Sequence, residues 1–380
     1  MTCVCLCASG TVPLQVPLNQ CDLTSRVRNK KLVPLSTEDK LLLDRFYDAT
    51  KQEIPSNVSI PDFKHTRTLV VGARARNEVA WVVDELPGLE TVIYSIDNED
   101  APFHIPKNKG HEAMVYLTYI IDHYDNLPDV VLFFHPHRFS WHNNLLLNLD
   151  SAQMIHRLSS DRVMRHGYMN ARCHPDPGCP IRLHIDREEQ DIEIRNKPKE
   201  RNFKPSIWHD LFGADTPVPE ELSQSCCAQF AASRDAIHRH PIEQYMKWRD
   251  WLLDTPLDDH AAAHIFEYTW QYIFTGEPEL CPSMDACYCD GYGVCFGSDE
   301  RVDMWLQSRD AQGALERRLI AIEEGRDKGG FLAQLKAKKG SMDLQDYLER
   351  ERVEAFQRGQ DLEERRNASA REELDVTRRR

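Results

Sequence analysis

Three groups of polar side chains in the sequence are candidates for catalysis, metal binding or ligand binding. The first is a group of histidines. The segment His135-Pro136-His137-Arg138 is followed closely by Trp141, His142 and Asn143. Imidazoles at this spacing suit zinc, copper or iron, so His135, His137 and His142 are candidate ligands of a divalent metal. The alternative is that they are hydrogen-bonding loop residues beside a ligand pocket, with Arg138, Trp141 and Asn143 as further lining residues.

The second group combines arginines with carboxylates. Its members are Arg74, Arg76, Asn77 and Glu78, followed about twenty residues later by Asp97 and Asn98. A guanidinium group makes bidentate hydrogen bonds to phosphate or carboxylate, so this group is expected to bind an anionic small molecule. A surface ion pair of the arginines with Glu78 or Asp97 is the alternative.

The third group stands at predicted helices. His111 and Glu112 open one helix, where free backbone N–H groups favour an anion, although Glu112 could simply complement the helix dipole. Asp258 and Glu267 belong to a later predicted helix, and each is a candidate general base. Asp97 completes the set of candidate catalytic carboxylates. Solvated helix carboxylates without a catalytic role are the alternative.

The elements that would position these groups follow from apolar runs. Three apolar runs predict strands over Thr68–Ala73, Thr91–Ile96 and Val130–Phe134. Helices are predicted between them, near residues 80–86 and 109–124. This alternation predicts an α/β fold with a mostly parallel mixed sheet and helices on both faces. Ligands of such sheets bind outside the carboxyl ends of the strands, so the polar groups are expected to meet in one cleft. In the second half of this domain, the sequence predicts a strand in the segment CCAQFAA and helices over residues 235–253 and 258–274.

Composition divides the chain into three segments. Residues 1–60 predict a largely disordered leader with one helix over 37–50, and residues 61–300 the α/β domain. Residues 301–380 hold 18 Lys and Arg and 17 Asp and Glu without Cys or Pro. They predict a charged helical or disordered extension that serves as a linker or binds a protein partner.

The net charge of −14 argues against a nucleic-acid partner, and no apolar run reaches the roughly 20 residues of a membrane span.

Eight of the twelve cysteines form three clusters in loops rich in Pro, Gly and Asp: Cys173 and Cys179; Cys226 and Cys227; Cys281, Cys287, Cys289 and Cys295. These clusters predict disulfides formed in an oxidising compartment. Zinc binding is the alternative, although the spacings differ from the short pairs of structural zinc sites. Glycosylation sequons at Asn57 and Asn367 agree with a secretory lumen or extracellular location. The opening residues lack the basic start of a signal peptide, which leaves the cytoplasm open.

Several enzyme classes are disfavoured because their motifs are missing. The sequence has no Gly-x-Gly-x-x-Gly after the first strand, no Gly-Lys-Ser/Thr and no Gly-x-Ser-x-Gly. Rossmann dehydrogenases, P-loop enzymes and ordinary α/β-hydrolases are therefore poor candidates.

Five segments, in order, resemble a family of filamentous fungi catalogued as domain of unknown function 3431: VVGARARNEVAWVVDEL, NKGHEAMVYLTYIIDHYDNLPDVVLFFHPHRFSWHN, CCAQFAASRDAIHRHPIEQY, EYTWQYIF and CYCDGYGVCFG. The resemblance covers about residues 66–297, and it implies no particular enzymatic activity because the family has no established one. The family's architecture is similar to nucleotide-sugar glycosyltransferases of the GT-A type. It shares a strand leading to an Asn-Glu pair, a parallel sheet and a late QFAAS strand that feeds a helix. His135-Pro136-His137 stands where such transferases carry Asp-x-Asp, which implies a metal-free transferase, a changed metal or a different chemistry.

Three functions follow as alternatives. The first is a glycosyltransferase-like enzyme in which Arg74, Arg76 and Asn77 contact a nucleotide-sugar donor. Asp97 and residues 135–142 would line the sugar end, and Glu267 or Asp258 would deprotonate the acceptor. The second is a metal-dependent enzyme of fungal secondary metabolism with histidine ligands. The third is a non-catalytic binding protein of the secretory pathway whose tail recruits partners.

Overall fold

A computed structural model describes residues 64–179, 183, 185, 203–327 and 330–379, without the side chains of residues 76, 77, 331 and 371–379. The predicted leader with its helix and the Asn57 sequon lie outside the described residues. The chain divides into two compact units. The sheet unit comprises Ile60–Phe139 and Asp150–Cys287, and the helical unit comprises Ser140–Leu149 and the residues from Tyr288 onward.

The strands of the sheet unit are β1 (Arg67–Ala73), β2 (Glu90–Ser95), β3 (Val130–Phe134), β4 (Tyr168–Asn170), β5 (Ser223–Gln224), β6 (Phe230–Ser233) and β7 (Glu279–Leu280). Five of them form one sheet in the order β2-β1-β3-β6-β4. The pairs β1–β2 and β1–β3 are parallel, whereas β6 runs antiparallel to β3 and β4. Strands β5 and β7 pair separately and in parallel. The predicted mixed α/β sheet is thereby confirmed.

The three parallel strands are apolar along their whole length because the sheet is covered on both faces. Leu69, Val70 and Val71 are fully buried in β1, and all five residues of β3 are buried. Val70 pairs with Val92 on one side and with Phe133 on the other. The carboxyl ends of β1, β2 and β3 therefore lie at one edge of the sheet, as the sequence predicts.

The helices that end or begin in the sheet unit are α1 (Ala80–Glu85), α2 (Glu112–His123), α3 (Ser151–Arg157), α4 (Ser160–His166), α5 (Pro205–Phe212), α6 (Arg234–Ile237), α7 (Ile242–Asp254), α8 (Asp259–Glu267), α9 (Trp270–Thr275) and α10 (Met284–Tyr292). Three details differ from the sequence expectation. The helix predicted over 235–253 is two helices, α6 and α7, because Pro241 has no N–H to donate and precludes a helical residue before it. The helix predicted over 258–274 is also two, and between them the hydroxyl of Thr269 donates to the backbone O of Ile265 at 2.9 Å.

The strand predicted in CCAQFAA starts later than expected. Only Phe230–Ser233 pairs with β3 and β4, and the two cysteines lie in the preceding turn. Cys227 and Ala228 have φ of 87° and 47°, which lie in the left-handed region and are incompatible with a strand.

The charged extension is helical in its described part. Its helices are α11 (Asp299–Glu323), α12 (Phe331–Arg358) and α13 (Leu362–Arg379). Helices α11 and α12 pack together, and the indole N–H of Trp305 donates to the backbone O of Leu348 at 2.9 Å. None of the helices in the described part of the chain is apolar and long enough to cross a bilayer.

A buried arginine ties the extension to the loop Ser140–Leu149. Arg352 is 1% exposed and donates to the backbone O of Leu146 at 3.3 Å and to Oδ1 of Asn148 at 3.0 Å. Because Arg352 is buried, its removal would take hydrogen-bond donors away from this loop at a place that water reaches poorly. Arg352 of α12 therefore holds the loop that carries Trp141, His142 and Asn143.

Four cysteine pairs lie at disulfide distance: Cys173–Cys287, Cys179–Cys281, Cys226–Cys227 and Cys289–Cys295. The predicted disulfides are confirmed, and two of them join the first cysteine cluster to the third. Such pairing points to an oxidising compartment.

Candidate functional site

The start of α2 lies against the end of α7 and the start of α8. The backbone N of Gly110 donates to Oδ1 of Asp259 at 3.4 Å. The ammonium of Lys109 donates to the backbone O of Thr255 and, at 3.4 Å, to that of Leu253, so it caps the carboxyl end of α7. Gly110 and His111 both have positive φ, 69° and 51°. This turn directs His111 and Glu112 from the start of α2 towards α8.

We expect Gly110→Ala to destabilise the protein by about 2–4 kcal/mol, since overpacking adds to the cost of a left-handed alanine. A Cβ at Gly110 would lie 2.5 Å from Cδ1 of Leu252. Gly88→Ala is the matched control, because its φ is 84° but no atom lies within 4 Å of the added carbon. Urea denaturation measures both variants, and equal losses would contradict the close approach at Leu252.

Helix α8 carries the pattern His260-x3-His264-x2-Glu267, which places the three side chains on one helix face. The rings of His111 and His260 are 6.3 Å apart, and those of His260 and His264 are 4.2 Å apart. Nε2 of His264 lies 3.8 Å from Oε2 of Glu267. Residues from the start of α2 and from α8 therefore form one continuous polar cluster.

Two carboxyl groups of this cluster interact. Burial raises the pKa of Glu112 to about 8, and the negative charge of Glu267 adds to the effect. One turn later, the pKa of the fully buried Tyr116 is raised well above its usual value by burial and then by Glu112. The Tyr116 hydroxyl has no hydrogen-bond partner among the described residues. At neutral pH Glu112 therefore holds a proton that it can donate.

Glu267 is fixed by the turn before β6. Its Oε1 accepts a hydrogen bond from the backbone N of Cys227 at 2.7 Å. Its backbone O accepts from the amide of Gln224, whose Oε1 in turn accepts from the Tyr168 hydroxyl at 2.9 Å. These bonds hold the Glu267 carboxylate in one position beside the cysteine pair.

The carboxyl end of β3 contributes two histidines. Burial lowers the pKa of His135 to about 4, with smaller contributions from His137 and His111. The His135 imidazole is therefore neutral at physiological pH, where its lone pair can accept a hydrogen bond or ligate a metal. The backbone N of His135 donates to Oε1 of Gln229 at 3.0 Å, and the indole N–H of Trp81 donates to the backbone O of Pro136 at 2.8 Å. We call His111, Glu112, His135, His137, His260, His264 and Glu267 the histidine–carboxylate cluster.

The ends of β1 and β2 bring Arg74 and Asp97 together. Nε of Arg74 lies 3.7 Å from Oδ2 of Asp97, and the Arg74 side chain remains 66% exposed. The backbone N of Arg74 donates to Oε2 of Glu78 at 2.9 Å, and the Asn108 amide donates to Oδ1 of Asp97 at 2.8 Å. The ion pair named as an alternative is thus present, while the guanidinium stays open to solvent.

The neighbouring predicted residues lie in turns. Asn98 accepts from the backbone N of Asp100 at 3.1 Å. Arg76 and Asn77 lie in the 3₁₀ helix Arg76–Val79, and their side chains are outside the described part of the structure. Their donor-binding role stays a prediction.

Other predicted residues have structural partners. Asp258 is the N-cap of α8, and its Oδ1 accepts from the backbone N of Ala261 at 2.8 Å. Arg138 forms ion pairs with Glu85 at 2.5 Å and with Asp150 at 3.1 Å.

Trp141, His142 and Asn143 lie in the helical unit, where the Asn143 amide donates to the backbone O of Leu149 at 2.9 Å. The predicted histidine ligands are therefore divided between the two units, His135 and His137 in one and His142 in the other.

Among the described residues, the group of three potential metal-ligand atoms within 4.8 Å of one another consists of Cys226, Cys227 and Glu267. In the structure its two sulfurs are joined as a disulfide. The metal site predicted from His135, His137 and His142 stays a prediction.

The site residues predicted from the sequence do not include His260, His264 and Tyr116. The first two had a usable signal, since His-x3-His-x2-Glu within a predicted helix places three polar groups on one face. Tyr116 had none, because one tyrosine on an apolar helix face is ordinary core composition.

Comparisons with known proteins agree with the extent of the sheet unit. The model of the family described as Protein of unknown function (DUF3431) matches residues 69–290, more than half of the chain. No curated protein and no solved structure gives a significant match. The matched stretch contains β1 without its first two residues, the whole histidine–carboxylate cluster and β7. On this match, the chain belongs to the DUF3431 family.

Proposed function

We propose that the chain is a glycosyltransferase-like enzyme that uses a nucleotide-sugar donor. The observation that supports this most strongly is the convergence of α2, β3 and α8 on the histidine–carboxylate cluster. His135 and His137 of that cluster follow β3 directly, at the carboxyl edge of the parallel strands where α/β proteins bind ligands. The late strand β6, which lies beside β3 and ends at the N-cap Ser233 of α6, agrees with the same resemblance.

The donor diphosphate would bind at the end of β1. Arg74 is exposed there, and its guanidinium can leave Asp97 for a phosphate at little cost, because an exposed ion pair contributes about 1 kcal/mol or less. Arg76 and Asn77 follow in the next turn and would complete the contact. The sugar would then lie between the ends of β1 and β3.

The transfer needs one base and one group that carries a proton. The acceptor hydroxyl oxygen forms a bond to the anomeric carbon while the bond from that carbon to the diphosphate oxygen breaks. Glu267 would take the hydroxyl proton, and protonated Glu112 would donate a hydrogen bond to developing negative charge. The neutral imidazole of His135 would accept hydrogen bonds from the sugar.

Thermal unfolding with uridine, guanosine and adenosine diphosphates tests donor binding. We expect one of these to raise Tm, and Arg74→Ala to weaken its binding about tenfold because a charge-assisted hydrogen bond is lost. Once a donor is identified, Glu267→Gln should lower kcat at least about 100-fold, the usual range for loss of a general base. Glu279→Gln, an exposed carboxyl in β7, is the control. The absence of stabilisation by every nucleoside diphosphate and sugar nucleotide would count decisively against the proposal.

A metal-dependent enzyme is the second candidate, because His135 is neutral and interacts with His111 and His137. Elemental analysis of the purified protein separates the two candidate functions: stoichiometric metal that is lost in His135→Ala favours the metal enzyme.

For either function we propose a lumenal or extracellular location, since the disulfides suit an oxidising compartment.

A further inference from the structure

The disulfide between Cys226 and Cys227 contributes almost nothing to stability by restricting the unfolded chain. Such stabilisation grows with the length of the loop that is closed, and adjacent residues close the shortest possible one. The pairs Cys173–Cys287 and Cys179–Cys281 instead span 114 and 102 residues. A function other than stapling is therefore needed to explain the adjacent pair.

This disulfide is also the most accessible in the described part of the chain. Cys226 and Cys227 are both partly exposed. Each of the other three disulfides includes at least one sulfur-bearing residue that is no more than 2% exposed, as Cys173, Cys179 and Cys289 illustrate.

The two sulfurs of the pair lie close to the Glu267 carboxylate, and the His264 imidazole is the next potential metal ligand. The two sulfurs and a carboxylate oxygen of Glu267 lie within 4.8 Å of one another. Nε2 of His264 is 3.8 Å from Oε2 of Glu267 but lies outside that group, so it must move closer to the sulfurs to share a metal with them. Nδ1 of His264 lies 2.7 Å from the backbone O of His260 and donates to it. This bond fixes the tautomer whose Nε2 lone pair is available for a metal, which is the usual supporting contact of a ligating histidine.

We propose that reduction of the Cys226–Cys227 disulfide creates a zinc site with two thiolates, the Glu267 carboxylate and the His264 imidazole as ligands. Two sulfurs, one oxygen and one nitrogen suit the tetrahedral preference of Zn²⁺. A dithiol reductant supplies two electrons and two protons, the S–S bond breaks, and the reductant becomes a disulfide. Binding of Zn²⁺ then releases the two thiol protons. The proposal does not depend on sugar-nucleotide binding.

The full chain is titrated with Zn²⁺ before and after limited reduction with a dithiol, and mass mapping identifies the reduced pair. We expect one zinc ion per chain reduced at Cys226 and Cys227, and none per oxidised chain. Cobalt(II) in place of zinc should give a thiolate-to-metal absorption band that appears only after reduction. A chain reduced at this pair that binds no zinc would overturn the proposal.

Variants distinguish this site from adventitious binding. Cys226→Ser with Cys227→Ser should abolish binding, and His264→Ala or Glu267→Gln should weaken it at least about tenfold, because each removes a ligand. His260→Ala is the matched control on the same helix, since its backbone O remains, and it should bind as wild type does. Equal binding by the double serine variant, or equal loss in His260→Ala and His264→Ala, would refute the assigned ligands. Failure of nucleotide binding in the same protein leaves this result unaffected.

Discussion

Replacing Glu112 by glutamine is expected to remove a loss of stability that the wild-type protein suffers as pH rises from about 4.5 to about 8. Glu112 has a pKa of about 8 in the folded state, against 4.5 as its ordinary value. Below the lower value the carboxyl is protonated in both states and costs nothing. Between the two values the unfolded chain releases the proton while the folded chain retains it, so folding becomes less favourable. Above the folded pKa the penalty is complete.

The size of this effect is bounded by the pKa difference. At 1.36 kcal/mol per pH unit the limit is about 5 kcal/mol, and partial exposure of Glu112 reduces the expected value to about 2–4 kcal/mol. Urea denaturation at pH 4.5, 6 and 8 measures it as the growing difference between Glu112→Gln and wild type. Glu279→Gln, an exposed carboxyl, is the control and should track wild type. Parallel curves for Glu112→Gln and wild type would show that Glu112 does not retain its proton.

Removing the two long-range disulfides is expected to cost about 7–8 kcal/mol in total, with the first removal costing about 3 kcal/mol. The bonds are nested, because Cys179 lies six residues after Cys173 and Cys281 six residues before Cys287. While either bond remains, the other closes a ring of only about 14 residues. Loss of the second bond releases a loop of more than 100 residues, which is worth about 4–5 kcal/mol.

Paired alanine substitutions test this in urea denaturation. Cys173→Ala with Cys287→Ala should lose about 3 kcal/mol, and the quadruple variant should be largely unfolded at 37 °C, since domains are typically stable by only about 5–15 kcal/mol. Cys226→Ala with Cys227→Ala is the control and should lose less than about 1 kcal/mol by this mechanism. A quadruple variant as stable as either double variant would contradict the nested-loop account.

Much of the sheet follows from local sequence alone. The run Val130–Phe134 is the strand that the structure contains, and the strand at Thr91–Ile96 is displaced by one residue, to Glu90–Ser95. Such strands can be recognised from the sequence because a strand covered on both faces needs apolar side chains at every position. The errors also have local causes, as with Pro241, which divides one predicted helix, and the left-handed Cys227, which delays a predicted strand.

The candidate site was partly predictable for a different reason. The carboxyl ends of parallel strands share an edge, so the proximity of Arg74 and Asp97 follows once the strand direction is known. The contact of His111 with His260 does not follow, because it depends on how α2 lies against α8, about 150 residues along the chain. No periodic pattern reports which faces of two distant helices meet.

Composition and hydrophobic patterning were enough to predict the three apolar strands, their common direction and the disulfides. For the charged extension they left helix and disorder as alternatives, and its described part is helical. The strands and the disulfides can be predicted because they depend on short-range composition and periodicity, which reflect burial directly. The three-dimensional packing was needed to establish which cysteines pair, that Arg352 holds the loop containing His142, and that the charge of Glu267 acts on Glu112. Residues far apart in the chain meet in the two long-range disulfides, in the bonds from Arg352 to the loop and in the charge interaction of Glu112 with Glu267. These interactions depend on the packing of whole elements rather than on the residues near either partner.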